Sequence, residues 1–295
     1  MRQQGPRVFS QSSARVSQSR PALRPCKLVP MRRVARAAVL LPWIAAAQEC
    51  AQTLERAQTA FDTHQFMVAK AELESALARC PQDAVRIRLA LGQTQYLLGK
   101  EADAEQSLLA ALALDSRNVD ALYALGRIYL MQNRYPEAVE RLEAATRLDA
   151  ANFKAWDNLG VCYDAMNRDA DALKAFFKAL DLVQKDHPKY DWAHANLADF
   201  FLRRNENQKA FQLAAEAATR NPGSARNCFL TGKALVHLGK QDLSVRWLER
   251  AVELDPQYAD ALYLLGQTYR KLGRPTDATR VLERFKEASK SRPRR

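Results

Sequence analysis

The sequence predicts an all-α protein, an α-solenoid of about seven helix-turn-helix units stacked one on the next. Three observations lead there. Alanine and leucine dominate the composition, and the 295 residues include 10 Gly and 12 Pro. Small residues recur on a beat close to 34 residues. Between them, at a constant offset, stand residues that tolerate the left-handed backbone that ends a helix.

The beat is set by Ala57, Gly92, Gly126, Gly160, Ala198, Gly232 and Gly266, in steps of 35, 34, 34, 38, 34 and 34 residues. Twelve residues after each comes a second small residue: Ala69, Ala104, Ala138, Ala172, Ala210, Ser244 and Ala278. Seven further on stand Ala76, Ala111, Ala145, Ala179, Ala217 and Ala251, with Phe285 breaking the series. The stop position reads Gly99, Asn133, Asn167, Asn205, Gly239 and Gly273, with His64 as the exception in the first unit. Each unit is therefore two antiparallel helices, A and B, joined by a tight turn. A glycine inside helix A costs about 1 kcal/mol relative to alanine. The expected return is close approach: helix B presents alanine to the small residue of A, and the ridges mesh. Large residues then fill the adjoining layers, as with Leu159 and Tyr163 on A and Leu142 and Phe176 on B. One hairpin cannot bury both of its apolar faces, so the units must stack.

In chain order, residues 1–30 are rich in Arg, Ser, Gln and Pro without apolar period, and read as disordered or as an untranslated extension. Residues 31–47 read as a signal peptide. Arg32, Arg33 and Arg36 precede an apolar run of eleven residues that closes on the small-x-small pattern Ala45-Ala46-Ala47. That run is too short to span a bilayer. An organellar transit peptide is the alternative, because residues 1–47 hold nine Arg/Lys and no Asp/Glu. The expected location is thus exported, periplasmic or secreted, or else organellar. The repeat units follow near 50–84, 85–118, 119–152, 153–190, 191–224, 225–258 and 259–290. The long fourth step reflects an insertion, QKDHPKYD at 184–191, read as a longer loop or an extended helix B before Pro188. A basic tail, 291–295, ends the chain.

The formal net charge of +12 sits at the two ends, and residues 48–285 hold 31 basic against 32 acidic side chains. That balance gives no support to a phosphate-binding groove, so no nucleic-acid partner is expected. No nucleophile–base pair, phosphate loop or H-E-x-x-H is present, which argues against an enzyme and against a cofactor. No C-x-x-C and no Cys/His zinc spacing occurs. His187 and His194, with Asp186 and Asp191, read as a solvated polar loop rather than a metal cluster. Cys162 and Cys228 read as small buried hydrophobes.

Trp156, Leu159, Gly160, Tyr163, Ala172, Phe176 and Ala179 in one unit, and Leu262, Leu265, Gly266, Tyr269, Ala278 and Leu282 in another, resemble the tetratricopeptide repeat (TPR) family. Pro81, Pro222 and Pro256, closing helix B, belong to the same pattern. The resemblance covers about 50–290 and is poorest in the first unit, at Arg56, and in the sixth, at Thr231 and Ser244. It implies a right-handed superhelix whose A helices line a concave face that holds a protein or peptide ligand. Projected onto that face, the chain offers Tyr123, Arg127, Asp157, Asn158, Asp164, Trp192, Asn196, Asp199, Arg203, Arg226, Phe229, Lys233 and Tyr263. Asn158 and Asn196 match the position whose amide bonds a bound peptide backbone in the family. The Lys/Asn clamp of chaperone-binding members is missing, its positions reading Tyr123/Arg127 and Asp157/Val161. The mixed lining implies a mixed-charge partner. The hairpin geometry also implies that Cys50 and Cys80 meet and form a disulfide stapling the terminal unit.

The primary expectation is an exported, non-enzymatic scaffold in the cell envelope. One alternative is self-association through the terminal units, since Val281, Leu282 and Phe285 share a face with no following unit. Another is a regulatory subunit of an envelope enzyme assembly.

Overall fold

A computed structural model describes residues 37–187 and 189–290. The predicted extension 1–30, residues 31–36 of the predicted signal peptide, Pro188 and the tail 291–295 lie outside the described residues. The chain divides into two compact units, Met1–Ala46 and Ala47–Arg295. The described part of the first is the opening of a long helix.

The second unit is an α-solenoid. Its A and B helices alternate as the part of α1 (Ala37–Asp62) from Ala47 on and α2 (Phe66–Arg79), α3 (Ala84–Leu97) and α4 (Glu101–Leu114), α5 (Val119–Met131) and α6 (Tyr135–Leu148), α7 (Phe153–Ala165) and α8 (Asp169–Asp186). They continue as α9 (Trp192–Arg203) and α10 (Asn207–Arg220), α11 (Ala225–His237) and α12 (Gln241–Leu254), α13 (Ala259–Lys271) and α14 (Pro275–Lys290). A short 3₁₀ turn, Pro81–Asp83, follows α2. No strand occurs among the described residues.

The hairpin turns sit where the stop residues stand. Each of the seven stop residues has a positive φ, between 57° and 74°. His64, the exception in sequence, adopts the same left-handed turn at φ 61°. The hairpin therefore imposes this conformation, and Asn or Gly is the residue that meets it at low cost. The turn is closed by backbone bonds of one repeated form, such as Arg134 N–H donating to the Tyr129 carbonyl at 2.9 Å. Helix B passes to the next helix A through a second repeated device. Asp115, Asp149 and Asp255 each accept, through Oδ1, the backbone N–H two residues on, at 3.0–3.1 Å.

The glycines are filled differently from the sequence expectation. A Cβ built on Gly160 would lie 2.4 Å from Cδ1 of Phe176, on the partner helix. Gly92, Gly126, Gly232 and Gly266 meet Leu108, Leu142, Leu248 and Leu282 in the same way, at 2.6–2.8 Å. The large residue of helix B sits directly on the glycine rather than in a neighbouring layer. The facing alanines matter chiefly through their backbone, as with the Ala104 carbonyl 3.2 Å from the Gly92 position. Hydrophobic burial of a full side chain, worth roughly 2–3 kcal/mol, outweighs the glycine penalty of about 1 kcal/mol.

The insertion resolves as an extended helix. α8 has 18 residues where α4, α6, α10 and α12 have 14 each. Along the stack, each A helix from α3 to α11 also packs on the following A helix, and no B–B pairing of similar extent appears among the described residues. The A helices thus lie on the tighter, inner side of the curve.

A recurrent clasp joins units. Tyr129 Oη donates to Glu105 at 2.9 Å and Tyr163 Oη to Glu143 at 2.5 Å, and Tyr269 donates to Glu249. Each acceptor belongs to helix B of the preceding unit. An arginine covers each ring: Arg134, Arg168 and Arg274 stand 4.1–4.5 Å from the ring centroids. The apolar face of α14 is already engaged within its own unit. Val281 and Ala288 are buried, Leu282 covers Gly266, and Phe285 stacks on Tyr263 at 5.3 Å.

Cys50 on α1 and Cys80 after α2 are joined by a disulfide, their Cα atoms 5.8 Å apart. The bridge closes a 30-residue loop around the terminal unit. In the chain-entropy model this contributes about 3–4 kcal/mol. Cys50→Ser with Cys80→Ser is expected to lower the protection of α1 and α2 amides from exchange by two or more decades, while α7–α14 change little because repeat stability is local. Uniform protection across the stack in the variant would contradict that.

Candidate functional site: the inner face of the A helices

The site is built by the A helices, whose inner faces carry the positions six and three residues before the beat residue and one after it. The three-and-four spacing puts these positions on one stripe. N-caps fix where each stripe begins: Asn118 Oδ1 accepts from Ala121 N–H and Asn152 Oδ1 from Ala155 N–H, both at 3.0 Å. Ser224 Oγ does the same for Asn227 N–H at 3.3 Å.

The structure separates the sequence-predicted residues into three groups. Toward the N-terminus, Tyr123 and Arg127 join Tyr96, Leu97 and Phe61 around a cavity of ≈ 230 Å³ between α3 and α5. The Arg127 guanidinium lies over the Tyr96 ring, 5.4 Å from its centroid. Toward the C-terminus, Asp199, Arg226, Phe229, Lys233 and Tyr263 line one cavity of ≈ 440 Å³ together with Tyr258, Asp260 and His237. Phe229 stacks on Tyr258 at 5.1 Å, and burial pushes the Tyr258 phenol up to about 12. Trp192, 54 % exposed, stands beside this group with the Arg226 guanidinium 5.3 Å from its ring.

The third group, between the two cavities, corrects the sequence reading. Asp157 is 1 % exposed and lies below the surface rather than on it. Its carboxylate accepts from Tyr190 Oη at 2.9 Å and from Asn196 Nδ2 at 3.0 Å to each oxygen. Asn196 Oδ1 in turn accepts from Arg226 Nη2 at 2.9 Å. The Asn196 amide is therefore committed to the scaffold, and the sequence-predicted role of bonding a peptide backbone is taken up internally. Asp164 is likewise engaged, by Arg203 and by Arg204 Nη1 at 2.9 Å. Arg203 also holds Asp199 at 2.5 Å. Asn158 is half-buried, and its Nδ2 has no protein acceptor.

Burial raises the Asp157 carboxyl from 3.8 to about 6, against the Asn196 and Tyr190 hydrogen bonds and the Arg226 charge, which all favour the carboxylate. Nearby, Asp191 accepts from Asn227 Nδ2 at 2.6 Å. His194 is buried, and desolvation followed by the Arg220 charge holds its imidazole down at about 4. It is not part of a solvated loop. Among the described residues no group of three or more His, Cys, Asp or Glu could hold a metal ion.

Tyr96, Leu97, Tyr190 and Tyr258 were not marked by the sequence. Tyr96 and Leu97 stand four and five residues after the beat glycine, where the stripe continues past the centre of the helix. Tyr190 belongs to the insertion, and only the folded path of that segment brings it back 33 residues to Asp157.

Tetratricopeptide repeat models match residues 54–119, 98–140, 123–187 and 260–290, and a TPR repeat model matches 232–273. The chain belongs to the tetratricopeptide repeat family. α9 and α10 fall outside these matches. No curated protein sequence matches the chain. Among solved structures, a tetratricopeptide repeat protein from Parabacteroides merdae has a TM-score of 0.64 at 16 % identity, covering 82 % of this chain and 93 % of that one. PilF of Pseudomonas aeruginosa has a TM-score of 0.61 at 23 % identity, covering 72 % and 94 %. The Cut9–Hcn1 hetero-tetramer of the APC/C gives 0.66 at 16 % identity, covering 76 % of this chain and 46 % of that one. These likenesses establish the fold. Proteins of this family are as a rule protein–protein interaction scaffolds without catalytic activity of their own. No helix among the described residues is long and apolar enough to cross a membrane.

Proposed function

We propose that this protein is an exported, non-catalytic adaptor that holds an extended segment of a partner protein along the inner face of its A helices. The observation that carries this reading is the convergence of Asp199, Arg226, Phe229, Lys233 and Tyr263, from three successive A helices, on one open cavity. Aromatic side chains bring large contact area at low entropic cost, and the polar groups around them supply direction. Tyr263 is 48 % exposed although it sits on the inner side of the stack, as an anchor waiting for cover would be. Export is supported by the 31–47 leader and by the Cys50–Cys80 bridge a few residues beyond it, since oxidising compartments permit such bonds.

The test is photo-crosslinking in the native organism. A benzophenone amino acid at Tyr263 is expected to capture a discrete partner. The same probe at Phe177, exposed on α8, is expected to capture none. Equal yields from both would refute the groove assignment. N-terminal sequencing of the isolated chain is expected to begin near Gln48. Asn196→Ala is unsuitable as a groove control, because it strips Asp157 of two hydrogen bonds.

A further inference from the structure

One chain of hydrogen bonds crosses three units on the inner face. Tyr190 Oη donates to Asp157 Oδ2 at 2.9 Å, and Asn196 Nδ2 donates to both carboxylate oxygens at 3.0 Å. Asn196 Oδ1 accepts from Arg226 Nη2 at 2.9 Å. The buried end of this chain is an acid, 1 % exposed. The other end stands at the groove. Arg226 lies on the wall of the cavity of ≈ 440 Å³, its guanidinium 5.3 Å from the ring of the exposed Trp192. The link between them is an amide with one donor end and one acceptor end, so the state of Asp157 sets which end Arg226 meets. The ionisable groups facing Asp157 are Tyr190 and Asp191 before α9, Arg226 on α11 and, through Tyr190, Tyr123 on α5. Glu143 of α6 and Asp171 of α8 act on Tyr163 instead.

We propose that Asp157 is a proton-operated latch on Arg226, which holds the guanidinium when ionised and releases it into the groove when protonated. In the ionised state both carboxylate oxygens are acceptors. The amide must turn Nδ2 to them, which leaves Oδ1 to grip Arg226. A proton from solvent goes to Asp157 Oδ1, which accepts one hydrogen bond where Oδ2 accepts two. That O–H then faces Asn196 Nδ2, donor against donor. A half-turn of the amide restores the bond, with Asn196 Oδ1 accepting from the carboxyl and Tyr190 still donating to Asp157 Oδ2. Asn196 Nδ2 now meets Arg226 Nη2, and the guanidinium lets go. Water in the open cavity can replace the bond that Arg226 loses, whereas the buried carboxyl has no such substitute. Burial raises the Asp157 carboxyl to about 6. Its protonated share therefore rises from about 3 % at pH 7.5 to about 90 % at pH 5. The latch follows from the hydrogen bonds; its use, setting whether Arg226 is held or free before a bound partner segment, rests on the groove reading.

The experiment is fluorine NMR of the full chain labelled with 5-fluorotryptophan, with no ligand added. The Trp192 signal is assigned among the four tryptophans by its loss in Trp192→Phe. It is expected to shift between pH 7.5 and 5 with a midpoint near 6, as the guanidinium leaves the ring. His194, held down at about 4, stays neutral over most of this window. Asp157→Asn is expected to abolish the step and to hold the signal, at pH 7.5, where the wild type has it at pH 5. The new amide donates to Asn196 Oδ1 as the protonated acid does. Arg226→Met is expected to abolish the step as well, with circular dichroism matching the wild type, since Arg226 is only half-buried. This variant decides the question if Asp157→Asn does not fold. No step in the wild type overturns the inference, as does an equal step in Asp157→Asn or in Arg226→Met. Such a result leaves groove capture standing if the Tyr263 crosslink succeeds. The expected steps together with a failed crosslink would support the latch and refute the groove reading.

Discussion

Gly160→Val is expected to destabilise the fourth hairpin by about 3 kcal/mol or more. Any Cβ at this position falls within 2.4–2.8 Å of three ring carbons of Phe176, a side chain that is itself 1 % exposed. Overpacking of that kind costs typically 1–3 kcal/mol and more when nothing can move aside. Gly160→Ala is expected to lose about 1–2 kcal/mol net, because the better helix propensity of alanine returns about 1 kcal/mol. The control is Phe176→Ala, which alone creates a cavity costing about 3–5 kcal/mol. If the two side chains share one space, the double variant Gly160→Ala/Phe176→Ala loses at least about 1 kcal/mol less than the sum. Amide exchange is the appropriate readout, since a repeat stack opens locally and a single unfolding midpoint would average over units. Unchanged protection of α7 and α8 in Gly160→Val would mean that the ring moves freely, and the account of the glycine beat would fall.

The second large effect concerns Asp157. Replacing it with alanine leaves the Asn196 amide and the Tyr190 hydroxyl without their acceptor in a buried site. An expected loss of about 3 kcal/mol follows from orphaning such a network. The acid's own titration gives a sharper test. Its folded-state value, about 6, lies above the ordinary 3.8. The folded protein therefore binds the proton more tightly than the unfolded chain does. The resulting stabilisation is fully present below the unfolded value and is lost as pH rises through about 6. The wild type should gain roughly 1 kcal/mol over Asp157→Asn when pH falls from 7.5 to 5, the window set by those two values. A pH-independent difference between the two would show that Asp157 titrates normally and is more hydrated than its position implies.

That same residue marks the boundary of what could be read in advance. The hairpin turns were legible because Asn133, Asn167, Asn205 and the glycines at this position satisfy a local steric rule. The beat was legible because a helix pair needs a small residue at each crossing, and a solenoid repeats the crossing. The cavities at Arg127 and at Lys233 were half legible: periodicity marks the inner stripe, so Tyr123, Arg127, Phe229, Lys233 and Tyr263 were named from it. Asp157 and Asp164 fall on the same stripe, and Asn196 lies one position from it. Their partners, Tyr190, Arg203, Arg204 and Arg226, lie 30–40 residues away, in the insertion or in the next unit. No local pattern encodes those meetings, because they depend on how far one hairpin rotates against the next.

The order of residues alone settled the helices, their turns, the pairing of A with B, and the need for units to stack, since each is a consequence of spacing and sterics within one repeat. Tertiary packing decided which charges remain for a partner. An ion pair across units forms only when the inter-unit packing brings its members within reach, and that packing runs through buried side chains such as Phe176 and Phe200, whose rings meet between α8 and α9 at 5.8 Å.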